Sequence, residues 1–178
     1  FGVMSPICRL HGVRVPNGVP YSAPDGEVDY GRELFHVFTD TGGDNEVWSY
    51  TPELLELFTG LLALRERLRP YLDAAFADYA ATGVPPMRPL TFVFPGQTGL
   101  TGQGAYMLGD DLLVAPVLEP GARSRHVRLP DGEDWIDVAT GTSHPGGAAI
   151  ALPAPLGRPP VLCRAGSWER MQPVFARD

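Results

Sequence analysis

The chain has 178 residues, a length that accommodates one domain or one domain with part of another. Hydrophobic residues make up 44% and charged residues 20%, an ordinary globular balance that argues against wholesale disorder. The formal net charge of -7 without any dense basic run argues against nucleic acid as a partner, and no stretch approaches the ~18 consecutive apolar residues of a membrane-spanning helix.

Residues 1–7 read as a buried strand, and no secretory leader is expected because Phe1 already lies within it. If the chain stays extended, Ser5, Ile7, Arg9 and His11 share one face, since side chains alternate with period two. Arg9 and His11, in "CRLHG", then project together just past the strand's C-terminal end. Residues 13–45 follow as a long polar loop rich in Gly, Pro and Asp. A loop of that length within a compact region is more often functional than idle.

The one strong helix is predicted to start at Thr51. Thr51 suits the N-cap, Pro52 the first helical position and Glu53 the positive end of the helix dipole. Leu54, Leu57, Phe58, Leu61, Leu64, Leu68, Leu72 and Phe76 recur at helical spacing and mark a buried stripe. Pro70 is expected to kink the helix or split it, and Gly83 to stop it ahead of Pro85 and Pro86. The arginines of "RERLR", residues 65–69, read as a solvated or ion-paired helix face.

A boundary falls between Thr82 and Met87, after which the pattern changes. Short apolar segments, "LTFVF", "AYML", "DLLVAPVL", "HVRL", "DWIDV", "AAIAL", "PVLC" and "PVF", alternate with turn-formers such as "PGQTG", "PDGE" and "TGTSHPGG". Seven or eight strands at this spacing predict an antiparallel β-sandwich of ~90 residues.

Few residues stand out chemically. Arg9 offers a fork of donors and His11 a ring nitrogen able to donate to a hydroxyl, which suits a polyhydroxylated ligand; a structural ion pair with a half-buried histidine is the competing reading. Asp110 and Asp111 are adjacent, so on a strand their carboxylates diverge, and a turn or cap fits better than a catalytic pair. His36, His126 and His144 have no ligand-spaced neighbours, so no metal site is expected. Trp135 and Trp168 read as structural anchors. Trp48, after the long loop, reads either as a third anchor or as an aromatic platform for a sugar. Cys8 and Cys163 are both expected as buried free thiols, with a disulfide or metal role as the alternative. Two isolated cysteines identify no redox compartment, and the cytoplasm is the default expectation.

The order of the blocks "FGVMSPICRLHG", "NEVWSY", "LRERLRPYL", "TGVPPMRPLTFVFP", "YMLGDDLLVAPVLEPGARSRHVRLP", "DWIDVATG" and "GGAAIALPAPLGRPPVLCRAGS" resembles the C-terminal part of glycoside hydrolase family 31, the α-glucosidases, α-xylosidases and relatives. The resemblance spans residues 1–167, and its most specific pieces are "RLHG", "MRPL" and "YMLGDDLLVAPV". It implies an α/β fragment, the last strand and helix of a (β/α)8 barrel, over residues 1–84, followed by an antiparallel β-sandwich over residues 85–178. By the same resemblance His11 contacts sugar hydroxyls and Arg9 organises the acidic site; Trp48, from its place after the long loop, is the candidate for a substrate-pocket loop. The family's catalytic carboxylates, held ~5 Å apart for retention of configuration, match nothing in this chain and are expected upstream of Phe1. No catalytic residue is therefore expected here, and that chemistry needs neither cofactor nor metal. The implied partners are a carbohydrate substrate and the remainder of the barrel, on the same polypeptide or another. The alternatives are a non-catalytic carbohydrate-binding or structural sandwich and one half of a split glycosidase.

Overall fold

Thr51 caps the longest element as its sequence predicts. In a computed structural model, which describes residues 1–8 and 51–176, helix α1 runs from Pro52 to Thr82. The Thr51 hydroxyl accepts the Leu54 N–H at 3.4 Å and its carbonyl accepts the Leu55 N–H at 2.8 Å. At the other end the Gly83 N–H closes on the Tyr79 carbonyl at 2.8 Å. Pro70 neither splits nor ends the helix. It lies on the exposed side of the helix, as does Glu66, the residue whose carbonyl it cannot bond. The chain forms two compact units, residues 1–8 with 60–178 and residues 9–59; of the second, only residues 51–59, the opening turns of α1, are described.

Beyond Gly83 the sandwich is built from β1 (Met87–Pro89), a single helical turn α2 (Leu90–Val93), β2 (Tyr106–Leu108), β3 (Leu112–Val114), β4 (Ser124–Arg128), β5 (Trp135–Asp137), β6 (Ser143–His144), β7 (Ala149–Pro153) and β8 (Val161–Arg164). A 3-10 turn at Ala165–Ser167 leads into α3 (Trp168–Phe175). One sheet has the order β1-β2-β3-β8-β5-β6 and the other pairs β4 with β7; every pairing is antiparallel.

Period-two alternation sends the large sheet's side chains into two cores. Tyr106, Leu108, Leu112, Val114, Val161 and Cys163 cluster with Leu68 and Leu72 of α1 and Met171 of α3. Met107, Leu113, Leu162 and Trp135 cluster with Val127, Leu129 and Leu152 around the small sheet. Strands β2, β3 and β5 are buried at every position because both faces of the large sheet are covered. Leu68 and Leu72 are the fully buried part of the predicted stripe, each burial stabilising the seat by ~1.5–3 kcal/mol. Phe76 stays 37% exposed.

Four expectations are corrected. The strand expected over residues 1–7 is a 3-10 turn at Gly2–Met4, closed by Met4 N–H to Phe1 O at 3.0 Å and Ser5 N–H to Gly2 O at 3.1 Å. The backbone there bonds to itself and to side chains in place of a neighbouring strand. "LTFVF" forms α2 because Leu90 is buried while Phe92 is 60% exposed, so no strand-like face exists to pair. "PVF" belongs to α3: Trp168, Met171, Val174 and Phe175 follow helical spacing and join the core beside α1. Cys163 is buried as expected, but Cys8 is exposed, because the turn ends before it and no core reaches it.

Candidate functional site

Arg9, His11 and Trp48 lie outside the described residues. What the structure describes is the segment that leads directly into Arg9, and the seam that fastens α1 to the sandwich.

The segment is held by its backbone. Arg65, on α1, donates from its guanidinium to the carbonyls of Val3 at 3.0 Å, Pro6 at 2.6 Å and Ser5. The Tyr106 hydroxyl, on β2, donates to the Met4 carbonyl at 2.8 Å. The Ser5 hydroxyl lies 2.7 Å from the Gly2 carbonyl and 2.9 Å from that of Ile7. Val3 and Met4 are buried, and the Phe1 ring meets the Tyr106 ring edge-on at 5.9 Å. Burial raises the Tyr106 phenol to about 12, so it stays protonated and able to donate throughout the physiological range.

The seam is polar. The Tyr71 hydroxyl donates to the Leu108 carbonyl at 2.7 Å and accepts the Asp111 N–H at 3.0 Å; burial raises its pKa well above the ordinary phenol value. Arg88, in "MRPL", is buried and donates to the Gly109 carbonyl and the Asp110 carboxylate, both at 2.6 Å. Asp111 accepts from the Ser167 hydroxyl and from Arg170 at 2.8 Å, which raises the arginine's pKa and ties α3 to the β2–β3 turn. Arg164 donates to the Asp110 carbonyl at 2.6 Å, pairs with Glu133, and lies 5.3 Å from the ring centroids of both Phe94 and Trp135. On the helix side, Arg67 donates to the Val174 carbonyl at 2.9 Å.

A cleft of about 620 Å³ opens beside this seam, lined by Tyr71, Asp78, Arg88, Asp110 and Arg170 among others. Its carboxylates at positions 110 and 111 are engaged by arginines and a hydroxyl, so the adjacent aspartates serve as a turn anchor, the reading their alternation favours. Among the described residues, no group of three His, Cys, Asp or Glu side chains is placed to hold a metal, and no helix is long and apolar enough to cross a membrane.

Sequence reasoning missed Arg65 and Arg67. Of the "RERLR" arginines only Arg69 behaves as expected, pairing with Glu66 at 2.9 Å on the exposed face. The available signal was position: Arg65 and Arg67 flank the stripe residues Leu64 and Leu68, where a long stem reaches buried backbone.

Residues 83–168 match the glycosyl hydrolase family 31 C-terminal domain. A 1,3-alpha-isomaltosidase of Kribbella flavida is 42% identical over 146 residues, which cover 82% of this chain and 19% of that protein. A sulfoquinovosidase of Agrobacterium fabrum is 36% identical over 115 residues, 64% of this chain and 17% of its own length. The solved structure of a GH31 alpha-xylosidase from a soil metagenome complexed with xylose is similar with a TM-score of 0.79 at 40% identity, over 98% of this chain and 25% of that one. The chain thus spans about a fifth of the length of the curated relatives it matches. An antiparallel sandwich seated on a long helix, the family's C-terminal domain over residues 83–168, and identities near 40% together establish that the chain belongs to glycoside hydrolase family 31, whose C-terminal part it matches.

Proposed function

We propose that this chain is the C-terminal part of a retaining α-glycosidase that releases a terminal α-linked glucose, xylose or similar sugar. Residues 1–84 complete its (β/α)8 barrel, the opening segment standing at the place of the eighth strand and followed by a long loop and the eighth helix. Residues 85–178 buttress that barrel. His11 hydrogen-bonds the sugar, Arg9 supports the carboxylate cluster, and Trp48 borders the pocket. The nucleophile and the general acid/base stand on polypeptide N-terminal to Phe1, where they carry out covalent trapping and proton transfer.

The observation that carries this reading is the likeness to the xylose-bound alpha-xylosidase over 98% of this chain, residues N-terminal to the sandwich included, at 40% identity. The engagement of Asp110 and Asp111 by Arg88, Ser167 and Arg170 supports it too, since it gives both carboxylates a part in fastening the sandwich.

The test compares the 178-residue chain with the polypeptide encoded when the upstream reading frame is included, using 4-nitrophenyl α-glucoside and α-xyloside. The longer polypeptide is expected to hydrolyse one of them and the 178-residue chain neither. Turnover by the chain alone would overturn the placement of the carboxylates. Activity appearing only on mixing with a second polypeptide would replace this reading with a split enzyme. Oligosaccharide binding with no barrel encoded upstream would replace it with a binding module.

A further inference from the structure

We propose that the cleft between α1 and the sandwich is a carbohydrate-binding site that takes a neutral pyranose saccharide through vicinal hydroxyls; it involves only residues 71–170 and stands independently of the function proposed above. Four elements converge on it: α1 supplies Asp78, β1 Arg88, the β2–β3 turn Asp110, and α3 Arg170. Its volume of about 620 Å³ lies within the ~300–1,000 Å³ of small-molecule pockets.

Each of these side chains keeps hydrogen-bonding capacity that the chain does not use. Arg88 makes both of its bonds through Nη2, so among the described residues Nη1 and the buried Nε meet no partner. Asp110 accepts through Oδ1 alone and its side chain is 80% exposed, which leaves Oδ2 open. Arg170 reaches Asp111 through Nη2 and the Met171 sulfur through Nη1, leaving Nε. The exposed Asp78 carboxylate has no partner among the described residues. The hydroxyls of the lining, by contrast, are engaged. Tyr71 both donates and accepts, while Thr82 donates to the Asp78 carbonyl at 2.7 Å and accepts the Val84 N–H at 3.2 Å.

The open groups are therefore two guanidiniums and two carboxylates, donors and acceptors in balance. A sugar hydroxyl both donates and accepts, and two adjacent hydroxyls can bridge a carboxylate and a guanidinium. An inorganic anion would meet more carboxylates than guanidiniums once Asp111 is counted, and a metal ion would find Asp110 and Asp111 already paired with arginines. Much of the remaining lining is apolar, with Ala74, Val84 and the Pro85 and Pro86 rings, which bear no N–H; it suits the C–H face of a pyranose. The frame is fixed before any ligand arrives. The Gly109 N–H donates to the Pro86 carbonyl at 2.7 Å and Arg88 holds the Gly109 carbonyl, so binding has little to order.

The experiment places a reporter thiol in the cleft. Ala74→Cys lies on an exposed position of α1, and its alkylation by iodoacetamide is followed by peptide mass spectrometry, with the exposed Cys8 as a reference outside the lining. The 178-residue chain and the longest soluble polypeptide containing it are each titrated with isomaltose, cellobiose and inorganic phosphate. At ten times its half-saturating concentration, either saccharide should slow alkylation at position 74 by ~10-fold while Cys8 reacts as before. In the reporter background, Asp78→Ala and Asp110→Asn should each raise the half-saturating concentration ~10-fold, the effect of losing a hydrogen bond to a charged group. Asp73→Ala, on the same helix but outside the lining, should leave it unchanged. No slowing by either saccharide, equal slowing at Cys8, or slowing that survives both aspartate variants would overturn the proposal. Slowing by phosphate alone would replace it with an anion site. A position 74 that is already unreactive in the longer polypeptide would show the cleft closed by further polypeptide, and would overturn it as a sugar site.

Discussion

Tyr71 and Asp111 meet through a single hydroxyl: it accepts the Asp111 N–H at 3.0 Å while donating to the Leu108 carbonyl at 2.7 Å. One side chain of α1 therefore ties both ends of the β2–β3 turn, and the turn in turn carries the carboxylates that bind Arg88 and α3. The seat of the sandwich on its helix is a directed contact with a defined register, laid over the apolar contacts of Leu68 and Leu72.

That closeness makes Gly109 indispensable. Its φ is 59°, and a Cβ there would overlap the Tyr71 hydroxyl oxygen and fall 2.6 Å from Cζ, against the C–O end of the phenol. Gly109→Ala is expected to destabilise the chain by about 3 kcal/mol, strain of the left-handed backbone adding to overlap with an immobile ring. Gly121, at φ 76° with nothing within 4 Å of the point a Cβ would occupy, isolates the backbone share, and Gly121→Ala should cost about 1 kcal/mol. Urea unfolding of both variants checks this; equal midpoints would refute the close approach.

Arg88 and Asp110 form one ion pair with two unequal partners. The Arg88 side chain is 11% exposed and the Asp110 side chain 80%, so solvent screens the carboxylate and removing it frees a guanidinium that still holds the Gly109 carbonyl. Asp110→Asn should cost under ~1 kcal/mol, as exposed pairs do. Arg88→Ala should cost about 2–3 kcal/mol, since it leaves a buried carbonyl unpaired and a gap between β1 and the turn. Equal losses in thermal or urea unfolding would show that the Coulombic pair, and not the buried carbonyl, holds the turn.

Stability should fall in alkali through buried groups that ionise late, Tyr71 and with it Cys163 and Tyr106. Burial raises the Cys163 thiol from 9.0 to about 12, with the Asp111 charge adding to it, and raises the Tyr106 phenol from 10.0 to about 12. An unfolded chain ionises these groups first, so between pH 9 and 12 the native state binds more protons and stability drops as pH rises. Below pH 9 the contribution of all three groups is complete. Melting temperature should be flat near neutrality and decline above that point. Cys163→Ala and Tyr106→Phe should each flatten the decline, by up to about 1.4 kcal/mol per pH unit for one proton, whatever they do to stability at neutral pH. Identical slopes for the three proteins would assign the alkaline loss to other groups.

Some of this was written in local sequence. Thr51, Glu53 and Gly83 bound the helix because a cap is settled by residues three or four positions away, and the Glu53 backbone with the Thr51 hydroxyl holds the Glu53 carboxyl below its usual value. The short apolar runs "AYML", "DLLVAPVL" and "PVLC" placed β2, β3 and β8, and the turn-formers between them marked an antiparallel sandwich. The reading of Asp110 and Asp111 as turn residues and not a catalytic pair was legible too, because they stand between two short apolar runs.

Other features depended on residues far apart in the chain. An apolar run such as residues 1–7 suits a strand or a turn, and the choice fell to Arg65 and Tyr106, whose donors take the carbonyls another strand would have used. "PVF" became helix because Trp168 and Met171 find the face of α1 open beside Leu64 and Leu68. Amphipathic spacing by itself determined which face of α1 turns inward and that a β-sandwich follows it; which backbone each buried arginine serves was decided only in three dimensions. The physical reason is that apolar burial is non-directional and can be read from a pattern, whereas a hydrogen bond needs its acceptor at a definite point, and that point is supplied by tertiary packing.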